Sequence, residues 1–286
     1  MSEQRLVPVD DGVELCVQTF GEPADPPVVL VSGAATSMDW WPLAWCERLA
    51  AGGRYVVRFD HRDTGRSTTG PVGEPDYDGD VLTLDTARLV EALGLAPAHV
   101  VGASMGGGIA QSLALRRPEL VASLVLVATS AAGGVDDDLP GPEPRVAATF
   151  TDPPPDPDWA DRDAYVAWVL DAERTWAGAL GVDEDDVRAG AGATFDRSHD
   201  VAAAGNHWIA VERDGGAPPL DVHDLAVPVL VVHGSDDPMF PLPHGEALAA
   251  AVTGAQLLVV EGMGHQVPPR ATWDVVVPAV LAHTAT

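Results

Sequence analysis

Short runs of apolar, β-branched residues alternate with segments of helical spacing up to Ala131. The apolar runs predict strands over residues 14–20, 28–31, 55–59, 99–101 and 124–127. The second of these is closed by Ser32-Gly33. Helices are predicted between them over 42–51, 81–93 and 104–117, the last stopped by Pro118. Strands that are apolar on both faces and alternate with helices predict a mainly parallel sheet covered on both sides.

The pattern breaks after Ala131. Residues 135–162 are crowded with proline, aspartate and glycine, including Pro153-Pro154-Pro155, and are not expected to hold regular structure for long. Helical spacing returns over 163–176, 183–193 and 198–211 with no strand between. The sheet signal resumes at 227–232, followed by a helix over 243–252, a strand over 256–260 and a helix over 271–282. The reading is one α/β core, residues 1–131 and 221–286, interrupted by a helical lid at 132–220.

Composition narrows the function. With 286 residues, 46% of them hydrophobic and 21% charged, the chain can bury a large core. A net charge of −27 argues against a nucleic acid or an anionic membrane surface as partner, since both would meet like charge. All 16 basic residues are arginine, which excludes Schiff-base, pyridoxal-phosphate and P-loop chemistry, each of which needs a lysine. Cys16 and Cys46 are the only cysteines, too few for a disulfide framework or a Cys-rich metal site. The start has no apolar h-region and no apolar run reaches spanning length, so a soluble, cytoplasmic protein is expected.

The most informative stretch is Gly102-Ala103-Ser104-Met105-Gly106, a Gly-x-Ser-x-Gly between a predicted strand and a predicted helix. That context suits a nucleophile elbow, where a sharp turn projects a serine hydroxyl from the sheet edge and glycines avoid collisions across the turn. A serine hydroxyl becomes nucleophilic only when a base takes its proton and a carboxylate orients the base. Both partners follow at late strand ends. The strand at 227–232 runs into His233-Gly234-Ser235-Asp236-Asp237-Pro238, and that at 256–260 into Glu261-Gly262-Met263-Gly264-His265. Asp237 is the expected acid, with Asp236 its competitor, and His265 the expected base. The oxyanion of acyl transfer needs donors: the Met105 N–H at the helix start, and Ala34 N–H in the loop Ser32-Gly33-Ala34-Ala35-Thr36-Ser37.

These residues resemble the α/β-hydrolase superfamily in the right order along nearly the whole core. Asp60-His61-Arg62-Asp63-Thr64-Gly65-Arg66-Ser67 looks like that superfamily's turn after its fourth strand. Together with Gly102–Gly106 and Gly262-Met263-Gly264-His265, it is similar to the actinomycete anthracycline (aclacinomycin) methylesterases. The resemblance implies Ser104, Asp237 and His265 as the triad and Ala34 and Met105 as the oxyanion donors; the overall reading is a metal-free hydrolase that needs no cofactor. One departure is that Ser32-Gly33 stands where the superfamily often has His-Gly.

The insertion carries Trp159, Trp168, Trp176 and Trp208, and Trp40 and Trp41 follow the oxyanion loop. These six rings are the expected walls of an apolar substrate pocket, against the alternative that they simply pack the lid onto the core. The acidic runs Asp136-Asp137-Asp138 and Asp183-Glu184-Asp185-Asp186 read as solvated faces and helix starts. The expected activity is a serine hydrolase cleaving a carboxylic ester of a hydrophobic or aromatic small molecule, in a monomer or homodimer. Alternatives are a lactonase, carbon–carbon hydrolase or perhydrolase on the same residues, or a non-catalytic ligand-binding member of the fold.

Overall fold

The computed structural model describes residues 3–135, 138–213 and 215–285. Asp136 and Asp137 of the first acidic run lie outside the described residues. Eight strands form one sheet: β1 (Arg5–Asp10), β2 (Val13–Phe20), β3 (Pro27–Val31), β4 (Tyr55–Phe59), β5 (Ala98–Ala103), β6 (Val121–Val127), β7 (Val229–Gly234) and β8 (Gln256–Val260). Their spatial order is β1-β2-β4-β3-β5-β6-β7-β8. From β4 to β8 all neighbours are parallel, whereas β1 pairs antiparallel with β2, and β2 with β4.

Strand β1 has no counterpart in the sequence reading. Only Val7 and Val9 of it are buried, and Pro8 removes a ladder donor, which only an edge strand tolerates. The signal that marks it is Asp11-Gly12, a hairpin dipeptide with Gly12 at φ 74°.

The strand alternation sorts side chains to two cores. Val28, Leu30, Val56, Val101 and Val125 pack with Trp45 and Leu49 of α1 (Leu43–Ala51) and Trp273 and Val276 of the C-terminal helix Trp273–His283. Val29, Val31, Val57, Val100 and Leu124 face the other way. They meet Leu82 and Leu89 of α2 (Gly79–Ala92), Ile109 and Leu113 of α3 (Met105–Arg116), and Leu248 of the helix Pro243–Ala251. A period of two, with both faces apolar, thus places helices on both sides.

Between β6 and β7 come α4 (Pro144–Thr151), α5 (Arg162–Trp176), α6 (Glu184–Arg197) and α7 (Asn206–Glu212), with no strand among the described residues. Helix α4 forms inside the stretch expected to be irregular. Pro144 sits in its first turn, where a missing N–H costs nothing, and a short apolar run follows. Asp183 caps α6, its side chain accepting from Asp186 N–H, and the rest of that acidic run fills the helix's first turn. Among the described residues no helix is long and apolar enough to cross a membrane.

Candidate active site

The sheet delivers four loops to its carboxyl edge, the place where open α/β sheets bind ligands. Strand β5 ends at Ala103, and Ser104 follows at φ 53° and ψ −121°, a left-handed conformation that a non-glycine residue holds only under constraint. The constraints are visible. Ser104 N donates to Val127 O at 3.0 Å, and Thr129 Oγ1 donates to Ser104 O at 2.9 Å. A Cβ at Gly102 would lie 2.2 Å from Gly106 O, and one at Gly106 would lie 2.2 Å from Val31 O, so the turn closes only with glycine at both.

His265 Nε2 lies 2.8 Å from Ser104 Oγ. On its other side, His265 Nδ1 is 3.0 Å from Asp237 Oδ2 and 3.1 Å from Oδ1. Residues 161 and 28 positions apart in sequence thus form one chain of contacts. A carboxylate accepts only, so Nδ1 carries the hydrogen that faces Asp237, and Nε2 presents its lone pair to the serine hydroxyl. Met239 N and Phe240 N each donate to Asp237 Oδ1 at 2.9 Å. Burial alone would raise the Asp237 carboxyl. The facing His265, with its charge and hydrogen bond, and the Phe240 N–H hold it below its ordinary value.

Asp236 is turned to another task. Its Oδ2 accepts from Ala179 N at 3.1 Å and its Oδ1 from Ser235 Oγ at 2.9 Å, tying the end of α5 to the sheet edge. His265 N also donates to Trp176 O at 2.9 Å, so the inserted helices grip the histidine loop directly. His233 is fully buried and donates from Nε2 to Phe240 O at 2.7 Å; burial pulls its pKa down.

The loop after β3 approaches the serine closely: a Cβ at Gly33 would sit 3.4 Å from Ser104 Cβ. Among the described residues, neither Ala34 N nor Met105 N takes part in a protein hydrogen bond. Two free donors therefore stand in the segments flanking the hydroxyl.

The six tryptophans separate. Trp176 lies against His265 with ring centroids 5.5 Å apart, and continues outward through Phe150 (5.9 Å) to the exposed Trp208 (5.9 Å). Phe240 also lies against His265, edge to face at 5.4 Å. Trp40 packs over the loop after β3, 3.0 Å from where a Gly33 Cβ would be. Trp41 is fully buried beneath the sheet, stacked on Trp45 at 6.4 Å, and fills the core. Trp159 and Trp168 pack on each other at 5.5 Å, and Trp159 meets Tyr165 inside the inserted segment's own cluster. Ring count in the sequence does not distinguish these fates, because packing and pocket walls draw on the same residue types.

Glu173 escaped the sequence reading. It lies one helical turn before Trp176 on α5, and Trp40 Nε1 donates to its Oε1 at 3.1 Å. Loss of water pushes its pKa up to about 7, although the Trp40 hydrogen bond and the His265 charge pull the other way. Because this pKa is raised on folding, the native state holds a proton that the unfolded chain releases above its ordinary value near 4.5. The group's stabilising contribution is therefore full below that value and lost as pH rises through about 7. Glu173→Gln should be more stable than the parent at pH 8 by about 1–2 kcal/mol, the half-buried position reducing the full effect, with no gain at pH 4. Chemical denaturation at the two pH values reads the difference; an equal shift at both would contradict the assignment.

Residues 26–268 match the alpha/beta hydrolase fold family. The chain belongs to the α/β-hydrolase family. It is 32% identical over 301 residues to a rhodomycin D methylesterase of Streptomyces sp. (strain C5), covering 98% of this chain and 97% of that protein. A rhodomycin D methylesterase of Streptomyces peucetius is 31% identical, with 96% of each chain covered. Among solved structures, the 2-hydroxy-6-oxo-6-phenylhexa-2,4-dienoate hydrolase of Rhodococcus sp. strain RHA1 superposes with a TM-score of 0.75 over 99% of both chains. At 20% identity, that likeness speaks for the hydrolase fold alone.

Proposed function

We propose that this hydrolase cleaves a carboxylic ester of a hydrophobic or aromatic small molecule through an acyl-enzyme, with Ser104 as nucleophile, His265 as general base and acid, and Asp237 orienting the imidazole. The observation that carries the reading is the unbroken series Ser104 Oγ–His265 Nε2 at 2.8 Å and His265 Nδ1–Asp237 Oδ2 at 3.0 Å. Ser104 Oγ attacks the ester carbonyl while His265 Nε2 takes its proton. The resulting oxyanion is bound by Met105 N–H, at the positive end of α3, and by Ala34 N–H. Collapse expels the alkoxide, which leaves as the alcohol with the proton from His265. Water then enters, His265 takes one of its protons, and the hydroxide attacks the acyl carbon. Ser104 departs, recovering its proton, and the carboxylic acid is released. Asp237 keeps the hydrogen on Nδ1 and stabilises the imidazolium without itself taking the proton.

The aromatic series Trp176, Phe150 and Trp208, with Phe240 also against His265, supports an apolar or aromatic substrate body beside the reacting carbon. The methylesterase relatives support a small leaving alcohol. A panel of p-nitrophenyl esters and methyl esters of aromatic acids, run beside lactones and β-diketones, tests the bond type. Turnover should be highest on the esters; a kcat/KM that favours the lactones or β-diketones would overturn the ester assignment.

A further inference from the structure

The geometry points to His207, on an inserted helix and outside the Ser104–His265–Asp237 series, as a positioning residue that sets the oxyanion loop. It accepts the Ala35 N–H at Nδ1 while donating from Nε2 to Arg62 O. The two distances are 3.0 and 2.8 Å, and the side chain is fully buried. The partners fix the tautomer: a backbone N–H only donates and a carbonyl only accepts, so Nδ1 is bare and Nε2 carries the hydrogen. The loop needs such a hold. Ala35 adopts φ 57°, which an alanine maintains only when its surroundings impose it. On the other side of Ala34, Ser32 O accepts from His61 Nε2 at 3.2 Å, and the His61 and His207 rings meet edge to face at 5.7 Å. Ala34 is thus bracketed by two histidine contacts, one from the turn after β4 and one from α7.

Burial lowers the pKa of His207, against the pull of the Arg62 carbonyl and the Asp63 charge. Burial, with His207 beside it, also takes His61 down to about 3. Both rings therefore stay neutral, and His207 Nδ1 keeps the lone pair that Ala35 N–H requires. Through this bond an element of the insertion determines where the Ala34 N–H points. The inference rests on Ala34 being an oxyanion donor in the proposed ester hydrolysis.

Two isosteric variants separate positioning from packing. His207→Asn places an amide oxygen near the Nδ1 position and retains an acceptor for Ala35; His207→Gln places its amide nitrogen near Nε2, retains the donor to Arg62 O and loses that acceptor. His207→Gln should lower kcat by about 10²-fold with KM within about threefold, the size of effect expected when a transition-state donor is misplaced. His207→Asn should recover kcat to within about tenfold of the parent. Melting temperatures of the two variants guard against a stability effect. Equal kcat in the two, or kcat that tracks melting temperature instead of the acceptor, would overturn the inference. Covalent labelling of the parent at Ser104 is read in parallel: its failure refutes the hydrolytic reading, whereas normal labelling with unaltered kcat in His207→Gln refutes only the role of His207.

Discussion

Replacing Ser104 by alanine is expected to lower kcat by about 10⁵–10⁶-fold while leaving the melting temperature close to that of the parent. The hydroxyl sits at a half-buried position, and its loss removes one contact to His265 without opening a core cavity. Asp237→Asn should cost about 10⁴-fold, because an amide in place of the carboxylate no longer requires a hydrogen on His265 Nδ1 and so permits the wrong tautomer. Effects within such a unit are not additive. The double variant Ser104→Ala/Asp237→Asn should therefore be no worse than Ser104→Ala alone. A double variant that loses the sum of the two effects would mean that the groups act separately.

The second large effect concerns stability. Arg197, the last residue of α6, reaches into the core beside two buried carboxylates: its Nη2 lies 2.6 Å from Asp60 Oδ1, and its Nε also pairs with Asp39. Asp39 in turn meets Arg58 at 3.2 Å, so two arginines balance two aspartates out of water. Burial alone would lower the Arg197 pKa, but the hydrogen bonds and charges of Asp60 and Asp39 raise it. Arg197→Met should destabilise the protein by about 3–5 kcal/mol, because Asp60 is left buried and charged with only the Met38 and Arg66 N–H groups for partners. Asp60→Asn in the same background should restore part of the loss by removing the unpaired charge. The denaturant midpoint measures both; a shift below about 1 kcal/mol for Arg197→Met would show that the cluster is solvated and weak. Met38 N donates to Asp60 Oδ1 and Ser37 Oγ contacts Thr194 Oγ1 at 2.7 Å. The same cluster therefore holds the end of the loop after β3.

What the sequence discloses follows from the range of each interaction. Strands β4 and β8 are legible to the residue: each is a five-residue run dominated by β-branched and other apolar side chains, with Arg58 and Gln256 the polar exceptions, and turn formers bound it. Ser104 is legible because its geometry is local: two glycines and a strand–helix boundary are all within five residues. Asp237 and His265 stand out in the sequence as polar residues just beyond strand ends, whereas the different contacts of the two aspartates, Asp236 with Ala179 and Asp237 with His265, do not. His207, Glu173 and Arg197 carry no such mark. Each acts on a partner 172, 133 or 137 positions away, and nothing beside them in the chain records that encounter. A histidine in an insertion, a glutamate on an exposed-looking helix and a terminal arginine each have an ordinary surface reading until the tertiary fold buries them wholly or in part. The tryptophans show the converse: a strong local signal, shared by Trp41 in the core and Trp176 beside His265.

In the proposed mechanism the hydroxyl of Ser104 becomes covalently bonded to the substrate acyl group. Incubation with a fluorophosphonate, followed by intact-mass measurement and peptide mapping, tests it most directly. The expected result is one adduct per chain, located on Ser104, with loss of ester turnover in proportion to labelling and no adduct in Ser104→Ala or His265→Ala. Full turnover by a chain that carries the adduct at Ser104, or an adduct on another residue that alone abolishes turnover, would contradict the account.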